Sequence, residues 1–136
     1  MALLALDTST SYLSVALESG ASRREIHREV GQGHAELALP AVRELLEAAG
    51  LGMRDLEAIA FGAGPGAFTG LRIACGIAQG LALALACPLV AVGAFEAIAE
   101  TVRAEHSPLA QRVVVAIDAR MRELYWCALV RDGTAW

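Results

Sequence analysis

Lysine and asparagine are both absent from this 136-residue chain. Without lysine there is no Walker-type phosphate loop, whose end requires Lys followed by Ser or Thr. All 11 basic residues are therefore arginines, opposed by 15 acidic residues for a formal net charge of −4. That balance argues against a broad phosphate-binding face, so direct nucleic-acid affinity is expected to be weak. Cysteine is scarce as well. Cys75, Cys87 and Cys127 share no CxxC spacing and have apolar neighbours, which reads as buried reduced thiols rather than zinc ligands or disulfides. His27, His34 and His106 share no ligand spacing either and are expected at the surface or at helix caps, so no metal and no cofactor is assigned. The apolar run over residues 80–95 is too short for a membrane span and is divided by Pro88. The opening MALLALDTST has no basic residue ahead of its apolar ones, so it reads as a strand rather than a leader, and the chain as cytoplasmic.

What is present is small and apolar. Hydrophobic residues make up 56% of the chain, with alanine supplying much of it and 13 glycines beside them, which favours close helix packing. The length fits one full domain, or one domain and the start of another. Residues 2–6 form a continuous apolar strand, residues 12–17 alternate toward a second, and residues 23–30 (RREIHREV) alternate as an exposed edge strand does. Short turns join these three into an antiparallel meander. Residues 34–49 carry Leu37, Val42, Leu45, Leu46 and Ala49 at helical spacing, with Gly50 as the stop and Pro40 as a potential kink. Then come a buried strand (56–61), a helix (69–86), a strand (89–92) and a helix (95–105). The result is an α/β fold with a mixed five-stranded sheet, the antiparallel meander plus parallel strands, and flanking helices. Beyond Ser107 and Pro108, residues 113–130 read as a lone hairpin with nothing to pack on, which places a boundary near Ser107.

The most informative stretch is LEAIAFGAGPGAFTGLR, residues 56–72, where a strand breaks into glycines and restarts as a helix. Gly62, Gly64, Gly66 and Gly70 let the backbone approach an anion or a close neighbour, and Thr69 is placed to cap the helix, with Arg72 in its first turn. GAGPGA is a poor dinucleotide fingerprint, because proline sits inside the turn and no acidic residue follows at the required distance. In the helix, Gly76 and Gly80 form one stripe and Ala74, Ala78, Ala82 and Ala86 a neighbouring one, so other backbones can come close.

Several segments carry a resemblance: LLALDTSTSYLSVAL (3–17), GHAELALPAV (33–42), GAGPGAFTGLRIACGIAQGLA (62–82), PLVAVGAFEAIA (88–99) and VVVAIDARMRELYWCAL (113–129). Together they resemble the TsaB (YeaZ) family of bacterial tRNA threonylcarbamoyladenosine biosynthesis proteins, within the actin/Hsp70/sugar-kinase-like (ASKHA, ribonuclease H-like) superfamily. GPGxFTGLR is the most specific element. Family members are longer, so the resemblance implies that residues 1–107 are the N-terminal actin-like lobe and residues 108–136 the first hairpin of a truncated C-terminal lobe.

The resemblance also implies a role. The catalytic TsaD-type paralogue carries an HxxxH metal motif whose two positions fall here on Ala94 and Ile98, neither of which can ligate a metal. The turns that hold nucleotide in the superfamily lack glycine here, reading Asp7, Thr8, Ser9, Thr10 and Asp118, Ala119, Arg120, Met121. The three hydroxyls can still donate to an anion, or else simply satisfy a tight hairpin. A non-catalytic subunit is expected, one that binds and activates the threonylcarbamoyl transferase in forming N6-threonylcarbamoyladenosine (t6A) in tRNA. Its interface would include Leu37, Leu45, Phe68, Arg72, Cys75, Gly76, Gln79 and Gly80. Implied partners are the TsaD-like paralogue as a heterodimer, a TsaE-like ATPase, a second copy when alone, and tRNA only through the complex, with no membrane. The alternative is an enzyme with residual metallo-glycoprotease-like or nucleotide-binding activity.

Overall fold

A computed structural model describes residues 1–106 and 111–136 of the chain. The boundary expected near Ser107 falls outside the described residues. Five strands form the main sheet: β1 (Ala2–Asp7), β2 (Tyr12–Ser19), β3 (Ser22–Glu29), β4 (Ala58–Gly64) and β5 (Leu89–Gly93), in the order β3-β2-β1-β4-β5. β1 pairs antiparallel with β2 and parallel with β4, and β4 pairs parallel with β5, so the expected mixed sheet is the observed one. β3 is an edge, as its charged alternation requires.

Alternation along the strands decides where the core lies. Leu4 and Leu6 of β1, Leu13, Val15 and Leu17 of β2 and Ile59 of β4 all point to one face and are buried. Helices α1 (His34–Ala49) and α2 (Phe68–Leu85) cover that face. α1 contributes Ala38, Ala41, Val42, Leu45 and Leu46, and α2 contributes Ala74, Ala78 and Ala82. Each fully buried Leu, Ile or Val is worth about 1.5–3 kcal/mol relative to exposure, so this single face supplies most of the apolar stabilisation. α1 runs unbroken through Pro40, whose missing N–H falls on the exposed side. Gly50 ends it in the left-handed region at φ 69°, with its amide and that of Leu51 donating to the carbonyls of Glu47 and Leu46.

The opposite face is less covered. There α3 (Ala94–Glu105) contributes Ala94 and Ala97 to the wall of a cavity of about 320 Å³ above Ala5, Ser14 and Ala16. Strands β6 (Arg112–Arg120) and β7 (Glu123–Val130) make a separate two-stranded sheet. The hairpin was expected to have nothing to pack on. It lies instead against α3, where Ala99 is fully buried and Val115 of β6 nearly so, because alternation gives it one apolar side. Its outer side leaves Val114, Leu124, Trp126 and Val130 exposed.

Candidate functional site

The glycine junction closes on the first turn of the same chain. Asp7, at the end of β1, accepts through Oδ1 from the Ser9 amide at 2.8 Å and the Ser9 hydroxyl at 2.7 Å, which folds the turn on itself. The Thr8 hydroxyl is fully buried and donates to the Gly70 carbonyl at 2.6 Å. The Ala67 amide donates to the Ser9 carbonyl at 2.7 Å. A methyl on Gly70 would strike the Thr8 carbonyl, one on Gly62 the Asp7 carboxylate, and one on Gly66 would come within 2.6 Å of the Ser9 Cβ. The close neighbour that the glycines admit is therefore the Asp7–Ser9 turn, and the loop and turn form one interlocked unit.

This unit floors an open cleft of about 1040 Å³, faced by Ala94 and Ile98 of α3 and by Asp118, Arg120 and Tyr125 of the hairpin. Of the three hydroxyls expected to face an anion, Thr8 and Ser9 donate within the fold, and Thr10 Oγ1 accepts from the Tyr12 amide at 3.1 Å. The Ser9 proton serves the turn, and that of Thr8 the contact with α2. Across the cleft, Asp118 Oδ1 takes the Arg120 amide at 2.7 Å, and Arg120, Met121 and Arg122 all have positive φ.

Several local expectations change. Thr69 makes no cap hydrogen bond, because α2 begins at Phe68 and Ala67 holds the cap position, which moves Arg72 into the second turn. His34 is buried rather than at the surface, and its Nε2 lies 3.2 Å from the Tyr12 carbonyl, tying the start of α1 to β2. The three thiols are free but only half-buried, and Cys87 lies between α2 and β5.

The proposed interface residues separate by helix face. Leu45 belongs to the core at 4% exposure and cannot meet a partner. α1 turns Ala38, Ala41, Val42, Leu45 and Leu46 to the sheet, which leaves Leu37 outside. On α2, Phe68, Arg72, Gly76, Gln79 and Gly80 are exposed and Cys75 half-buried, whereas Ala74, Ala78 and Ala82 face the sheet. A Cβ on Gly76 or Gly80 would meet nothing within 4 Å. The Arg72 guanidinium stacks over the Phe68 ring at 3.4 Å from its centroid. Leu83, 85% exposed, extends the same stripe and was missed, although it lies seven positions after Gly76, two helical turns along. By length and composition α2 could cross a bilayer, with a mean hydropathy of 1.5, and 22% of it is buried.

The family model for TsaD, tRNA N6-adenosine threonylcarbamoyltransferase, matches residues 15–135. The tRNA threonylcarbamoyladenosine biosynthesis protein TsaB of Haemophilus influenzae is 42% identical over 132 residues, 97% of this chain and 55% of that protein. Its Escherichia coli counterpart is 40% identical over 97% of this chain and 56% of its own length. Among solved structures, YeaZ from Pseudomonas aeruginosa matches with a TM-score of 0.88 and 46% identity, over 96% of this chain and 61% of that one. The chain thus spans about half the length of the curated relatives it matches. The family-model match takes in the glycine loop, both α2 stripes and the hairpin, and begins after the Asp7–Ser9 turn. By sequence and by fold, this chain belongs to the TsaD family, on its TsaB (YeaZ) branch.

Proposed function

We propose that this chain is a non-catalytic subunit that binds and activates a TsaD-like threonylcarbamoyl transferase in t6A modification of tRNA. The observation that carries this reading is the open stripe Phe68, Arg72, Gly76, Gln79, Gly80 and Leu83 on an apolar helix that is 22% buried. A helix of such composition normally packs on two sides, and the bare glycine backbone invites a second helix to close contact. The TsaB relatives, named for tRNA threonylcarbamoyladenosine biosynthesis, support the pathway. Ala94 and Ile98, at the positions of the paralogue's metal motif, offer no lone pair to a metal, which supports a non-catalytic role.

In this reading the paralogue's equivalent helix lies along Gly76 and Gly80, Leu37 flanks the contact, and a TsaE-like ATPase docks on the assembled pair. Alone, the same stripe supports a homodimer, and tRNA is met only through the cytoplasmic complex. Residues 1–107 serve as the N-terminal lobe, and residues 108–136 begin a second lobe.

The test is light scattering after size exclusion, on this chain alone and mixed with the HxxxH-bearing paralogue of the same genome. The expected outcome is a dimer that exchanges into a one-to-one complex, lost in Gly76→Trp with circular dichroism unchanged. A Gly76→Trp variant that assembles as the parent does would overturn the reading.

A further inference from the structure

One carboxylate far from the α2 stripe gathers donors from two separate elements. Glu100 of α3 accepts from Arg103 Nε at 3.0 and 3.1 Å, from Arg103 Nη2 at 2.6 Å and from Trp136 Nε1 at 2.9 Å. Arg131 Nη1 approaches the same carboxylate at 3.9 Å. Arg131 is itself held, since its Nε donates to the Gly133 carbonyl at 2.9 Å and its backbone amide to the Gln111 carbonyl at 2.9 Å. Its side chain is only 13% exposed. Asp132 and Ala135 exchange backbone bonds of 2.9 and 3.1 Å, which curls the segment after β7 into a tight turn returning toward α3.

We propose that Glu100 is the positioning residue that locks the hairpin to α3 and so fixes the spacing between the two walls of the cleft. α3 starts one wall with Ala94 and Ile98, and the hairpin makes the other with Ile117, Asp118, Arg120 and Tyr125. The apolar contact between α3 and the hairpin has Ala99 and Val115 among its buried residues. Such contact is non-directional and tolerates sliding. A carboxylate with charge-assisted bonds from its own helix and from the post-hairpin turn is directional, so it selects one docking register. An isolated exposed ion pair would not suffice, but a fork from Arg103 combined with an indole donor is a network.

Native-state hydrogen exchange on the 136-residue chain tests the lock with Glu100→Gln, Trp136→Phe and the double variant. In Glu100→Gln the amides of β6 and β7 are expected to exchange severalfold faster while those of β1, β2 and β4 stay at parental rates. Trp136→Phe should accelerate the same amides to a smaller extent, and the double variant should fall short of the product of the two effects, because both substitutions weaken the shared Glu100–Trp136 bond. Unchanged hairpin exchange in Glu100→Gln, equal acceleration in both sheets, or effects that multiply in the double variant would each overturn the lock.

Discussion

Thr8 and Gly70, 62 positions apart, hold each other in two ways: the Thr8 hydroxyl donates to the Gly70 carbonyl at 2.6 Å, and the Thr8 carbonyl fills the space a Gly70 side chain would need. The first turn of the chain and the first turn of α2 are therefore a single packed object.

That object predicts opposite outcomes at two glycines of one helix. Gly70→Ala must displace backbone and is expected to destabilise by about 1–3 kcal/mol. Gly76→Ala has open space around it and should stabilise by up to about 1 kcal/mol, the helix preference of alanine over glycine. Urea denaturation of both variants measures this, and a Gly70→Ala variant as stable as Gly76→Ala would show that the loop does not grip the turn.

Two leucines of α1 separate stability from assembly. Leu45→Ala removes a buried side chain and should cost about 2–5 kcal/mol, while complexes formed by the remaining folded protein keep their affinity. Leu37→Ala, at a position 38% exposed, should leave thermal stability within about 0.5 kcal/mol and weaken partner binding severalfold. Thermal melts and a binding titration on each variant decide it.

The order of strands and helices was legible because its signals are local: alternation in β3, apolar continuity in β1 and the Gly50 stop after α1. The phase of α1 was not. Leu37 and Leu45 both fall on a plausible apolar stripe, and only the position of the sheet reveals that the buried side passes through Ala38, Ala41 and Leu45 and leaves Leu37 outside. Glycine spacing announced a close approach without saying to what, since the partner turn lies more than 50 residues away along the chain. Likewise Glu100 and Trp136 meet 36 positions apart, and nothing local to either residue signals it. Leu83 is the exception, readable from helical spacing alone.

Strong acid should loosen the hairpin. The fork from Arg103, then the Trp136 indole, hold the Glu100 carboxyl down to about 2, below its ordinary 4.5. A depressed folded value means that the contribution is complete above about pH 4.5 and is lost as the pH falls through about 2. Trp136 fluorescence in a Trp126→Phe background should report that loss between these limits, and Glu100→Gln should remove the transition. A midpoint unchanged by Glu100→Gln would assign the acid response to other groups.

The uneven burial of α2 has a calorimetric consequence. With Phe68 at 67% and Leu83 at 85% exposure, the helix keeps apolar surface hydrated that most core helices have already dehydrated. Water released from that stripe on association carries away heat capacity, so binding there would show a binding enthalpy that becomes steadily more exothermic on warming. Contact made only through charged groups such as Arg72 would leave that slope nearly flat.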